Sequence, residues 1–311
     1  MTAVSSLSGK RVLLTGATGF IGSHLSRALR SRGVELHCLS RRMVSGENGE
    51  FQWHFVDLGD LSALRRTISL VRPEVVFHLA SRVTGSRDLS EVLPTLQSNL
   101  TDTIGLLTLL TGTECRRVVL AGSLEEISSM DESPCSPYAA AKSAVSCYAK
   151  LFHSLYSLPV VTARLFMVYG PGQKDSAKLV PYVVESLLAG RSPRLTSGVR
   201  PVDWIFVDDV VEGLLRMSEV PGIEGRTVDL GSGKLTSVRE LVELIQAISG
   251  STAELKFGTL PDRPAEKVAE ADLQRTFELL GWRPSTTLRS GLERTVAWYR
   301  SKLDVQIARQ G

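Results

Sequence analysis

Tyr138 and Lys142 stand four residues apart in the stretch Tyr138-Ala139-Ala140-Ala141-Lys142. On a helix this spacing is one turn, so both side chains face the same way. A phenol of pKa ~10 is a poor acid or base at neutral pH. A neighbouring ammonium stabilises the phenolate and lowers that pKa. Tyr138 can then pass a proton to or from a substrate oxygen. Ser123, after the strand expected at 117–120, can donate to the same oxygen and help position it. A Ser-Tyr-Lys group of this kind suits a hydroxyl or carbonyl substrate.

A second set of residues points to a dinucleotide. Gly16, Gly19 and Gly22 fall in Gly16-Ala17-Thr18-Gly19-Phe20-Ile21-Gly22, between the apolar run Val12-Leu13-Leu14-Thr15 and a helical stretch from Ser23 to Arg32. Strand, glycine loop and helix in that order form the context the motif requires. The first glycine permits a tight turn, the second lets backbone approach a pyrophosphate, and the third lets helix and strand pack closely. The helix start then offers N–H groups and a positive dipole end to phosphates. The next strand ends in Ser40-Arg41-Arg42, where NAD-specific folds place an acid for the ribose 2′-hydroxyl. Arginine there suits a 2′-phosphate. The expected cofactor is therefore NADP(H), with NAD as the alternative. Asp57 and Leu58, after the third strand, are placed to meet the adenine.

The elements that must hold these groups follow from periodicity. Strands are expected at 34–39, 51–56, 75–79, 117–120 and 160–164. Helices are expected at 61–71, 92–111 and 138–155. Gly33 and Pro73 act as stops. Strands alternating with helices imply a parallel sheet covered on both faces. The fold class is thus α/β, a Rossmann doubly wound parallel sheet with a smaller mixed C-terminal substrate lobe. Residues 1–170 are expected to form the dinucleotide-binding domain, with 203–232 returning to it. Residues 171–202 and 233–311 are expected to form the lobe, over the carboxyl edge where ligands bind in such sheets.

Of 311 residues, 43% are hydrophobic and 22% charged, and the net charge is +3. This balance argues against a nucleic-acid or membrane surface. No apolar run is long enough to span a bilayer and Met1 to Lys10 lacks a signal core, so a cytoplasmic protein is expected. Cys38, Cys115, Cys135 and Cys147 show no metal-ligand spacing and are expected to be reduced thiols. His24, His37, His54, His78 and His153 are scattered, and structural or surface roles are expected for them. No metal is expected.

Several segments together carry a resemblance. They are the glycine loop, His78-Leu79-Ala80-Ser81, Asn99, Ser123, Tyr138 to Lys142, Arg164 to Gln173, Asp203 to Asp209, Arg263-Pro264 and Leu280 to Pro284. The chain resembles, over nearly its whole length, the extended short-chain dehydrogenase/reductase family. That family includes nucleotide-sugar epimerases, dehydratases and reductases. The resemblance implies that Ser123, Tyr138 and Lys142 are catalytic, with Lys142 also holding the nicotinamide ribose. It implies cofactor contacts from Gly16, Thr18, Gly19, Phe20, Ile21, Gly22, Leu79, Ala80, Ser81 and Asn99, and a homodimer paired through helices 92–111 and 138–155.

Within the family, dehydratases resemble one another in an Asp-Glu pair just after the Ser or Thr. Here Leu124 occupies the Asp position, followed by Glu125 and Glu126, which counts against dehydration. Gly122 to Glu126 looks closer to reductases of nucleotide-linked 4-keto-6-deoxy sugars. The arginines at 41 and 42 point the same way, since a one-way reductase is served by exchangeable NADPH. NADPH-dependent reduction of a keto group on a nucleotide-linked deoxysugar is therefore expected. The alternatives are an NAD-dependent nucleotide-sugar 4-epimerase, a dehydrogenase of another ketone or aldehyde, and a non-catalytic NADP sensor. Substrate contacts are expected from Ser81, Leu124, Glu125, Met167, Arg200 and Arg263, the arginines as diphosphate clamps. Met167 replaces a substrate-contacting Asn of the family, and Ile127-Ser128 replace its Tyr-Gly.

Overall fold

The first apolar run forms β1 (Arg11–Thr15), and the glycine loop leads into α1 (Phe20–Ser31) in the computed structural model, which describes residues 7–43, 51–129, 131–263 and 266–308. The alternation continues through β2 (Glu35–Ser40), β3 (Gln52–Phe55), α2 (Leu61–Val71) and β4 (Val75–His78). Then come α3 (Val92–Thr95), α4 (Asp102–Leu110), β5 (Arg117–Ser123), α5 (Pro137–Tyr156) and β6 (Val160–Leu165). The remaining elements are β7 (Met167–Tyr169), α6 (Leu179–Leu188), β8 (Pro201–Phe206), α7 (Val207–Glu219), β9 (Thr227–Leu230), β10 (Leu235–Ser237), α8 (Val238–Ser249), α9 (Leu273–Leu280) and α10 (Leu288–Ala308).

Seven strands form one sheet in the order β3-β2-β1-β4-β5-β6-β9. The order reverses beside β1, and there the carboxyl ends of β1 and β4 lie side by side, Thr15 opposite His78. This is the switch point at which open parallel sheets take their ligands. The central strands read as apolar runs because both faces are covered. Leu13, Val76, Val118, Leu120 and Val160 are buried with Leu64, Leu106, Leu110 and Phe152 from the helices. Each such side chain contributes roughly 1.5–3 kcal/mol when buried. A separate sheet, β10-β8-β7, joins β8 to β10 antiparallel and to β7 parallel.

The chain divides into two units. The first holds Met1–Leu165, Val211–Asp229 and Gln274–Trp282. The second holds Phe166–Val210, Leu230–Leu273 and Arg283–Gly311. In the second, Asp203 is buried and accepts hydrogen bonds from the backbone of Ser232, Gly233 and Ala271, at 2.6, 3.0 and 3.0 Å. Asp209 does the same for Ser285 and Thr286, both at 3.0 Å. These two carboxylates of the later strand signature therefore tie loops rather than serve chemistry.

One element departs from its sequence pattern. The helix expected at 92–111 is interrupted by a π-helical segment, Leu96–Thr101, between α3 and α4. Hydrophobic periodicity averages over several turns, and one wide turn of six residues is too short to show in it. Such bulges recur at functional sites, and this one carries Asn99. The histidines are also less scattered in space than in sequence. His37 on β2 and His54 on β3 meet at 3.0 Å, with their rings stacked. Among the described residues no cluster could hold a metal ion, and no helix is long and apolar enough to cross a membrane.

Candidate active site

The glycine loop has the geometry its spacing requires. Gly16 has φ 75°, and a Cβ there would lie 2.7 Å from the Ala80 nitrogen. A Cβ on Gly22 would lie 2.0 Å from the Gly16 carbonyl oxygen, so only glycine lets α1 approach β1 this closely. Gly19 caps α1 without a side-chain hydrogen bond, and no acid stands in the first turn, which also holds Phe20 and Ile21. The helix start is thus left to an anion, and these residues fit a dinucleotide. Thr18 and Gly19 are exposed beside them.

The other expected cofactor residues belong to the first unit, with Leu79 and Ala80 against Gly16. Ser40 ends β2, and its hydroxyl donates to the Arg42 carbonyl at 2.8 Å, while Arg41 and Arg42 are exposed. Asp57 accepts the Gly59 N–H at 2.9 Å and so shapes the loop next to Leu58. Leu79, Ala80 and Ser81 follow β4 at the switch point. Asn99 is buried and uses both ends of its amide on the loop behind them. Its oxygen accepts from the Ser81 hydroxyl at 3.1 Å and the Arg82 N–H at 2.7 Å, and its nitrogen donates to the Arg82 carbonyl at 3.0 Å.

His78 joins this loop to the sheet, a role its sequence position did not reveal. Its Nδ1 meets the Thr15 hydroxyl at 2.8 Å and its Nε2 the Thr103 hydroxyl at 2.9 Å. Thr103 donates its own proton to the Asn99 carbonyl at 2.7 Å, so it must accept from His78. That fixes the neutral tautomer with hydrogen on Nε2. Burial, helped by the Lys142 charge, holds the His78 pKa down at about 3. A neutral relay thus runs from β1 through β4 to the π-helical segment.

The catalytic group sits where β5 ends beside α5. Ser136 caps α5, its hydroxyl accepting the Ala139 N–H at 3.0 Å, and Pro137 occupies the first turn, where its missing N–H is harmless. Tyr138 and Lys142 are buried one turn apart, with the Lys142 nitrogen 5.8 Å from the Tyr138 ring centre. Lys142 donates to the Ala121 carbonyl at 2.7 Å. The Tyr138 phenol is hydrogen-bonded by Ser123. The Ser123 oxygen also accepts the Glu125 N–H at 3.2 Å.

The electrostatics differ from the expectation that the ammonium lowers the phenol's pKa. Burial pushes the Tyr138 phenol upward, against the lowering effect of the Ser123 hydrogen bond, and the charges of Glu125 and Glu126 add to the rise. Burial also lowers Lys142 to about 8, while Glu126 raises it. Desolvation outweighs the neighbouring charge because both groups are taken out of water together.

The expected substrate residues separate. Leu124 is half-buried, and its N–H donates to the Leu165 carbonyl at 2.9 Å. Glu125 accepts from the Ser136 hydroxyl at 3.3 Å and lies 3.7 Å from the Cys135 sulfur. Met167, Arg200 and Arg263 belong to the second unit. Met167 pairs with Trp204 across β7 and β8. Arg200 is held by Glu266 at 2.9 Å, and Arg263 is exposed. Pro264, named beside it, lies outside the described residues. Glu126, which sequence reasoning ranked below Glu125, is the more deeply buried of the two.

The whole chain finds counterparts. A UDP-glucose 4-epimerase of Mycolicibacterium smegmatis is 32% identical, over 94% of this chain and 99% of its own. The solved UDP-glucose 4-epimerase of Thermotoga maritima with UDP-glucose superposes with a TM-score of 0.85 at 27% identity, covering 94% of this chain and 99% of that one. The Bordetella bronchiseptica enzyme WbmF in complex with NAD+ and UDP gives 0.82 at 27% identity, covering 98% and 96%. The family model of the NAD dependent epimerase/dehydratases matches residues 12–231, more than half of the chain. With the glycine loop and the Ser-Tyr-Lys group in place, the chain belongs to the NAD dependent epimerase/dehydratase family of extended short-chain dehydrogenase/reductase enzymes.

Proposed function

We propose that the chain is a nucleotide-sugar 4-epimerase, acting on a UDP-linked hexose with NAD as its retained cofactor. The observation that carries this is the buried Ser123-Tyr138-Lys142 group in a chain that matches UDP-glucose 4-epimerases over 94% of its length. The sequence favoured one-way NADPH-dependent reduction of a 4-keto-6-deoxy sugar. The relatives support the epimerase alternative better, and a structural neighbour was solved with NAD+. Dehydration is disfavoured by Leu124, which cannot act as the acid.

The roles of the residues follow. When bound, the nicotinamide supplies a hydride sink and source at carbon 4 of the sugar. Tyr138, deprotonated once a bound nicotinamide and the Lys142 ammonium place positive charge beside it, would take the proton of the 4-hydroxyl as that carbon is oxidised and would return it to the carbonyl oxygen in the reverse step. Ser123 donates to the same oxygen in both directions. Lys142, an ammonium below its pKa of about 8, holds the ribose and keeps positive charge beside the phenol. Asn99 and His78 hold the loop that passes behind them.

A second reading rests on one observation: β2 ends in Ser40, Arg41 and Arg42, with no acid for the ribose 2′-hydroxyl. That favours NADPH and one-way ketoreduction. The test is to purify the chain, release any bound nucleotide and identify it, then supply UDP-glucose and follow UDP-galactose. Retained NAD with interconversion supports the epimerase. An empty protein that binds NADPH at least tenfold tighter than NADH, and leaves UDP-glucose unchanged, overturns it in favour of the reductase. The chain is further proposed to act as a homodimer, through the outer faces of α3, the π-helical segment and α5.

A further inference from the structure

Glu126 has no part in the chemistry above, yet it is buried at the base of the catalytic group. One carboxylate oxygen accepts the Ser123 backbone N–H at 2.7 Å, and the other accepts the Ser146 hydroxyl at 2.7 Å. Ser146 lies four residues beyond Lys142, which lies four beyond Tyr138, so the three share one face of α5. Room for the carboxylate comes from Gly122, where a Cβ would lie 2.5 Å from the nearer Glu126 oxygen. A second stitch runs parallel to it. The Ile127 N–H donates to the Ser143 hydroxyl at 3.0 Å, and that hydroxyl donates to the Ala139 carbonyl at 2.8 Å.

We infer that Glu126 is a positioning residue, a bridge from the end of β5 to α5 that sets the separation of the Ser123 hydroxyl from the Tyr138 phenol. The inference rests on the reading of Tyr138 as the acid and base. Ser123 and Tyr138 arrive on different elements, 15 residues apart in sequence. Their relative position is otherwise set by packing and by bonds that do not touch the Ser123 backbone, from Lys142 to the Ala121 carbonyl, from Ile127 to Ser143 and from Ser136 to Glu125. A charge-assisted bond to a backbone N–H is short and directional, and here it acts on Ser123 itself. A catalytic contact displaced by about 1 Å can cost about a hundredfold in rate. Burial raises the Glu126 carboxyl, against the hydrogen bonds of Ser146 and Ser123 and the charges of Lys142 and Arg164. Tyr138 in turn faces Ser123, Glu125 and Glu126, and both acids push it upward.

Three variants test the bridge: Glu126→Ala, Glu126→Gln and Ser146→Ala. Glutamine can still accept from Ser123 and donate to Ser146, but carries no charge. The expected result is a fall in kcat of roughly tenfold or more for E126A with KM within about threefold, as for a lost transition-state contact. S146A falls less, in the same direction. E126Q recovers most of the E126A loss, and the acid limb of its pH profile moves down by up to roughly one unit, because a charge that raised Tyr138 is gone. Folded E126A with wild-type kcat overturns the inference. Equal losses in E126A and E126Q with no pH displacement do the same. If E126A does not fold, S146A and E126Q decide. A wild-type chain inactive on UDP-hexoses sinks the epimerase reading alone. Amide exchange at Ser123 still tests the bridge: faster exchange in E126A than in wild type and E126Q supports it, and no faster exchange in E126A would remove it.

Discussion

Tyr138 is the group through which the proposed reaction passes its proton, and its burial makes a clean prediction. Tyr138→Phe keeps the ring in its apolar site and removes only the hydroxyl. Turnover should fall by roughly a hundredfold or more, while NAD affinity stays within about threefold; steady-state rates and a cofactor titration check both. Retained turnover would mean that another group moves the proton. His78 gives a prediction of a different kind. Its pKa is about 3 in the fold against 6.5 for the free side chain. The unfolded chain therefore binds the proton first. The contribution of a neutral His78 is whole above pH 6.5 and is lost as pH falls from 6.5 toward 3, at roughly 1.4 kcal/mol per pH unit. Urea midpoints of wild type and His78→Gln should thus converge between pH 8 and pH 5. A constant gap between the two would show that His78 is not held neutral. Tyr138, Lys142 and Ser123 were legible because a helical spacing and a strand end place them without help. His78 and Glu126 were not, since their partners Thr15, Thr103 and Ser146 lie up to 63 residues away and meet them only through the fold.

At the scale of elements, the site depends on how α1 meets β1 and how α5 begins. Gly22→Ala places a methyl 2.0 Å from the Gly16 oxygen, which is backbone and cannot swing aside. The loop must open, and the phosphate-facing N–H groups move with it. Dinucleotide affinity should fall at least tenfold by calorimetry, and an unchanged value would exclude the loop from the cofactor site. Ser136→Ala removes the cap of α5, six residues before Lys142. Thermal or urea unfolding should show a loss of about 1 kcal/mol. The first four strands, β6 and α5 were readable from periodicity to within a residue or two, whereas β5 runs three residues past the expected 117–120, to Ser123. The π-helical segment at Leu96–Thr101 was not, because a single wide turn is too short to leave a period of its own in the pattern. Yet that turn presents Asn99 to the loop at Ser81 and Arg82, so the part of the helix hidden from the pattern is the part that touches the site.

At the scale of the molecule, the sequence revealed the parallel sheet more fully than the lobe, since β7 and β10 are three residues long and their neighbours are loops held by Asp203 and Asp209. The feature that remains to be accounted for is apolar surface. Along α5, Ala140, Ala144, Cys147, Tyr148, Leu151 and Leu155 fall at helical spacing on the face opposite the buried Tyr138 and Lys142, and none is charged. Beside them Leu89, Val92, Leu93 and Leu96 are exposed, and a groove between the two lines is floored by Leu100, Pro137 and Ala144. An apolar face of this extent on a monomer is unusual. Two helices that present one such stripe can pair with their own copies about a two-fold axis in a four-helix contact. A second copy of this chain is the proposed occupant. Leu93 and Leu155 are 71% and 67% exposed, so an aspartate at either costs the isolated fold little and a dimer much. Sedimentation at micromolar concentration should give a dimer for the wild type and a folded monomer for Leu93→Asp and Leu155→Asp. A wild-type monomer, or a dimer that tolerates both charges, would place the subunit contact elsewhere and leave this face without a partner.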